Sequence, residues 1–209
     1  LELMRHANHR CGAAIELLRR DPALHADAVG VALRDMRREE VVALVPALVR
    51  AGGLAAPTLL DTLSAKKTFV RQAAALTLAS LQADAAIPGL LALVANESTT
   101  LWEELARALA AFGELAEAAL VDALVHDAIP QDRAALVLAY LAKGGFAANV
   151  DELTRAPNPK IAVVAASVAP RMAVVERHLR EFYDASATPT GPREFGKKLF
   201  RALHPDSPR

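Results

Sequence analysis

Apolar positions recur every three to four residues along most of the chain, the spacing of one helix face. In residues 69–81, Val70, Ala74, Leu78 and Leu81 fall on one such stripe. Turn signals break the pattern at short intervals: Gly52-Gly53, 82–84, 96–98, Gly113, Gly144-Gly145, and Pro157 to Pro159. Spacing and breaks together predict helices at about 3–19, 22–36, 39–51, 54–64, 68–82, 84–95, 100–112, 114–126, 130–142, 146–155, 159–169, 171–184 and 193–203. Pro46 lies inside the third, where its missing N–H predicts a kink. Thr100 and Glu103 fit a capping box at the start of the seventh. No stretch alternates apolar and polar residues over a strand's length, so the expected fold is all-α.

The apolar pattern also repeats at longer range. Moving 69–96 forward by about 31 residues brings Val70 onto Leu101, Leu78 onto Leu109, Leu81 onto Phe112 and Val94 onto Val125. The same shift backwards brings Pro88 onto Pro57, Leu90 onto Leu59, Leu91 onto Leu60 and Val94 onto Leu63. A forward shift of about 29 brings Leu109 to Leu138, Phe112 to Leu141 and Leu124 to Leu153. One helix pair of this length cannot bury its apolar face alone, so neighbouring pairs must stack.

Composition fits that picture. Hydrophobic residues make up 53% of the 209 and aromatic residues only 4%, so the core is Ala, Leu and Val, which suits close helices better than sheets. Formal charge sums to zero but is unevenly spread: residues 84–152 hold eleven acidic side chains against three basic ones, and both flanks are net basic. That acidic middle would attract a partner with a basic surface, although ordinary solvated faces give the same pattern. It argues against nucleic acid, which needs matching Lys and Arg. Cys11 is the lone cysteine, which excludes an internal disulfide and favours a reducing, cytoplasmic setting. The longest apolar run, at 161–170, is too short to span a bilayer, so no membrane is expected. No signal-peptide pattern opens the chain, and Leu1 in place of Met raises the expectation of a longer parent protein.

The segments APTLLDTLSAKKTFVRQAAALTLASL at 56–81 and IPGLLALVANESTTLWEELARALAAFG at 87–113 show Pro before paired Leu, a turn, and a second helix running through small residues to Leu. In this the chain resembles HEAT repeats, above all the short variant of bacterial proteins and phycobilin-lyase-type subunits. The match is good over about 54–143 and degraded over 22–51 and 146–184. It implies an α–α superhelix of about five to six helix pairs over 1–184. Its concave face would be lined by the helices at 39–51, 68–82, 100–112, 130–142 and 159–169. Where the pattern expects Arg, the third unit has Trp102.

Candidate partner-binding residues on those helices are Arg71, Trp102, Glu103, Arg107 and Arg133. Trp102 reads either as an interface anchor or as filler between units. Arg71 stands at the family's usual Arg position, where bonding to a neighbouring turn competes with bonding to a ligand. Glu103 and Arg107, four apart with the acid first, suit an exposed ion pair. Glu103, Glu104, Glu114, Glu117, Asp122, Asp127 and Asp132 form the acidic patch. No phosphate loop, nucleophile elbow, calcium loop or Ser–His–Asp order is present, and no shielded carboxylate pair has catalytic spacing. His6, His9 and Cys11 lack a second ligand pair for a metal, and His25, His126, His178 and His204 are scattered. The reading is therefore no enzyme and no cofactor or metal.

ASATPTGP at 185–192 reads as a linker. Beyond it, 193–209 carries an amphipathic helix with Phe195, Leu199 and Leu203 on one face and Lys197, Lys198 and Arg201 beside it. That helix either folds back over an exposed apolar end of the stack or docks a partner. The expected function is a non-catalytic scaffold for a protein partner. The alternative is a HEAT-like accessory subunit, bilin-lyase-like or DNA-glycosylase-like.

Overall fold

The computed structural model describes residues 9–97, 101–183 and 192–204. Among them every regular element is helical, and the chain divides into two compact units. Of the described residues, unit 1 holds 9–83 and 192–204, and unit 2 holds 84–97 and 101–183.

Unit 1 contains α1 (Arg10–Arg20), α2 (Pro22–Leu33), α3 (Arg38–Ala51), α4 (Ala56–Thr62), α5 (Thr68–Ser80) and, from the far end of the sequence, α13 (Pro192–Leu203). Asp21 starts α2, its carboxylate accepting from the Leu24 N–H at 3.1 Å while Pro22 takes the first turn, where no donor is needed. Glu40 reaches back to the Arg37 N–H at 2.7 Å and starts α3; that bond holds its carboxyl below the usual range. The helices stack in two layers, α2 against α4 and α3 against both α1 and α5. Bonds one repeat apart tie the layers: Thr58 Oγ1 donates to Asp27 Oδ1 at 2.7 Å and Lys67 Nζ to the Met36 carbonyl at 3.1 Å, each spanning 31 residues. The period seen in the apolar pattern is thus a physical translation between helix pairs.

Residues 38–62 are long and apolar enough to cross a membrane by length and composition. They do not form one rod. Gly52, at φ +61°, ends α3 where a side chain would be strained, and a 3-10 turn leads into α4. Val41, Leu44, Val45 and Leu48 face the core, and a buried core helix is as apolar as a membrane-crossing one. α3 continues through Pro46 from Arg38 to Ala51.

Unit 2 contains α6 (Ile87–Asn96), α7 (Leu101–Ala110), α8 (Glu114–Val125), α9 (Gln131–Leu141), α10 (Ala147–Leu153), α11 (Pro159–Ala166) and α12 (Ala169–Tyr183). Again there are two layers, α6 on α8 and α7 on α9, with α11 against both α8 and α9. Asn149 bonds Glu117 at 3.2 Å and Lys160 bonds Asp127 at 2.6 Å, spanning 32 and 33 residues. This regular two-layer stacking is the construction principle of α-solenoids. The capping box at Thr100 and most of the 185–192 linker lie outside the described residues.

Candidate functional site

In each unit a later helix lies across a pair of repeat helices. In unit 1, α13 packs on α3 and α5; in unit 2, α12 packs on α9 and bonds to α7. These are helices for which the sequence reading expected an open binding face. Burial shows the consequence: α5 is buried without interruption from Gln72 to Ala79, and α9 from Ala134 to Leu141. Small side chains permit this, since Ala on several faces lets one helix be packed from several sides.

The hold on α12 is polar and internal. His178 Nε2 lies 2.7 Å from Glu104 Oε1, and His178 Nδ1 is bonded to the Tyr140 hydroxyl. With Nε2–H donating to the carboxylate, Nδ1 accepts from the Tyr140 O–H, a tautomer assigned from these partners. Arg107 Nη2 approaches the other Glu104 oxygen at 3.4 Å. Glu104, His178 and Tyr140 are 0%, 2% and 5% exposed, so a substrate could reach this hydroxyl–imidazole–carboxylate line only by displacing a helix. Its evident role is to fix α12 against α7 and α9.

Outside that line, Lys143 Nζ pairs with Glu176 at 2.8 Å, holding the Glu176 carboxyl below its ordinary value of 4.5. A depressed carboxyl stabilises the fold above its unfolded pKa, and the gain vanishes as pH falls through the folded value. The stability difference between wild type and K143A should therefore be constant from pH 7 to about 5.5 and shrink under more acid conditions. Urea unfolding at a series of pH values measures it.

α13 brings apolar anchors to α3 and α5. Phe195 and Leu199 are buried, and the Phe195 ring meets Phe69 of α5 edge-on, centroids 5.7 Å apart. Arg38 of α3 lies 5.5 Å from the Phe69 ring and 5.9 Å from that of Phe195. Lys197, expected beside the apolar stripe, is buried at 5% exposure. Leu203 is only half-buried. Each of the two large anchors contributes on the order of 1.5–3 kcal/mol. Along the α3–α13 seam an open groove of about 420 Å³ remains, lined by Arg38, Glu39, Val42, Glu194, Phe195 and Lys198.

The sequence-predicted residues are mostly engaged within their own units. Arg71 Nη1 donates to the Ala65 and Lys66 carbonyls at 2.8 and 3.0 Å, closing the end of α4. Arg133 Nη1 does the same for α6, reaching Val94 and Ala95 carbonyls at 2.6 and 3.0 Å, while its guanidinium lies 5.3 Å from the Trp102 ring. Trp102 and Glu103 are half-buried on α7, and the ion pair of Arg107 is with Glu104 at i−3. R133A is expected to lower stability by about 1–3 kcal/mol through the lost carbonyl bonds. It should also red-shift the emission of Trp102, the only tryptophan, and an unchanged spectrum would refute the stacked arrangement.

The acidic patch loses a member, because Glu104 is interior, while Glu114, Asp122, Asp127 and Asp132 are exposed. Sequence reasoning missed the Glu104–His178–Tyr140 line altogether, since 74 residues separate Glu104 from His178. Cys11 donates to the Glu40 carbonyl at 3.4 Å, and burial raises its thiol pKa, with the Glu40 charge adding to the effect. His6 lies outside the described residues, among which no group of metal-ligating side chains gathers. No family model, curated protein or solved structure matches the chain.

Proposed function

We propose that this chain is a non-catalytic scaffold of the HEAT-like helical-repeat type, and that it holds a protein partner. The observation that carries the reading is that α3/α5 and α7/α9 each seat an amphipathic helix from elsewhere in the chain. A surface that takes one such helix has the shape and apolar floor to take another. The 31-residue stacking and the Pro–Leu–Leu segments support the HEAT-like assignment. The exposed acids Glu114, Asp122, Asp127 and Asp132 favour a basic surface on the partner.

Cross-linking of the full chain in the cells that express it, followed by peptide mapping, tests this. The expected result is a protein partner cross-linked to one of the two units. Sub-micromolar, salt-sensitive binding to DNA, with no protein recovered, would overturn the reading.

A further inference from the structure

We infer that the groove along the α3–α13 seam of unit 1 is a binding site for a small zwitterion with an apolar body, the chemistry of a free apolar α-amino acid. α13 stays seated and supplies one wall. Such a site is independent of any protein partner held elsewhere on the chain.

The walls come from two helices of one unit: Arg38, Glu39 and Val42 from α3, and Glu194, Phe195 and Lys198 from α13. A volume of about 420 Å³ lies in the range of small-molecule clefts. Most charges around the groove already have partners within the protein. Lys198 pairs with Glu194 at 2.9 Å along α13, and beside the groove Arg37 pairs with Glu40 at 3.3 Å. Two charges are left over. Among the described residues the Arg38 guanidinium makes no hydrogen bond or ion pair; it lies beside the Phe69 and Phe195 rings. The exposed Glu39 carboxylate makes neither as well. Half-buried Val42 and buried Phe195 add apolar surface between the charged groups of the two walls. A guanidinium takes a carboxylate through two parallel N–H bonds, and a carboxylate takes an ammonium. A simple anion would answer Arg38 but bring its charge beside Glu39, and a simple amine would do the reverse. A zwitterion answers both. Arg38 and Glu39 are consecutive, with α-carbons about 3.8 Å apart, which suits two charges carried on one ligand carbon. The two rings also hold the guanidinium in place before a ligand arrives, which lowers the ordering cost of binding.

The probes are L-phenylalanine and L-leucine, titrated into the full chain and followed by ligand-observed NMR. At least one should bind with a Kd on the order of 1 mM or tighter, as the size of such a ligand allows. 3-Phenylpropionate lacks the ammonium and 2-phenylethylamine lacks the carboxylate, and each should bind at least about tenfold more weakly than L-phenylalanine. E39Q and R38A alter exposed side chains and should keep the helical circular dichroism of the wild type. Each should weaken L-phenylalanine by about the same tenfold factor. E39Q should spare 3-phenylpropionate and R38A should spare 2-phenylethylamine, a crossed pattern that a general loss of fold would not give. Should R38A unfold, E39Q with the two analogues decides alone. No saturation by either amino acid up to about 10 mM overturns the inference. Binding unchanged by E39Q also overturns it, because the ligand then sits elsewhere. Equal binding of L-phenylalanine and 3-phenylpropionate would make this a carboxylate site and overturn the zwitterion.

Discussion

Substitution of His178 by alanine is expected to cost the protein about 3–5 kcal/mol, the range for breaking a buried ionisable pair from one side. The imidazole is the hub between Glu104 and Tyr140, at 2% exposure, and no bulk water reaches either side to replace it. Its removal leaves the fully buried Glu104 carboxyl with the longer 3.4 Å approach of Arg107 and takes the imidazole away from the Tyr140 hydroxyl. Y140F should be milder, about 1–2 kcal/mol, because it removes one donor and leaves the Glu104–His178 bond. The decisive comparison is the triple change E104L/Y140F/H178L. It removes all three members of the line at once and should cost less than the sum of the single changes, since none of the three is then left buried without the others, and only Arg107 loses its approach to Glu104. Urea unfolding supplies the energies, and amide exchange in α12 shows where the loss falls. A change below about 1 kcal/mol for H178A would show that α12 is held by its apolar side alone.

That line illustrates which interactions a sequence displays. Helix positions were legible because a 3.6-residue apolar stripe is a local signal: 130–142 was expected and α9 runs Gln131–Leu141, while 68–82 was expected and α5 runs Thr68–Ser80. The repeat was legible because stacking equivalent helices demands equivalent apolar positions, and the Thr58–Asp27 and Lys67–Met36 bonds bear the same period. The clamps of Arg71 and Arg133 were half-legible. For Arg71 the recipient turn is five and six residues away, whereas Arg133 reaches carbonyls 38 and 39 residues back. The sequence places Glu104 in the acidic patch with Glu103, and nothing local tells that this one position points inward. The amphipathic pattern of α13 showed that Phe195 and Leu199 need cover. The identity of that cover depends on α3 and α5, well over a hundred residues earlier, and no local pattern encodes it.

Replacing Gly30 with alanine should destabilise the protein by about 2–3 kcal/mol, although Gly to Ala within a helix ordinarily stabilises by up to about 1 kcal/mol. Gly30 lies in the last turns of α2 with a φ that alanine adopts freely, so backbone strain is not the cause. The cause is Thr58 of α4. A Cβ built on Gly30 would overlap Thr58 Cγ2 and lie 2.9 Å from Thr58 Cβ. Thr58 cannot easily turn away, because it is 8% exposed and its hydroxyl is held by Asp27 at 2.7 Å. The methyl must therefore push α2 from α4, opening the contact between successive repeats at Gly30. Pairing the change with T58S removes Cγ2 while keeping the hydroxyl for Asp27, and should recover part of the loss but not all, since Thr58 Cβ remains close. Denaturant midpoints of the two single variants and the double variant close the cycle. Stabilisation by G30A would mean that α2 and α4 stand farther apart than one repeat step allows, and the two-layer stacking of unit 1 would have to be redrawn.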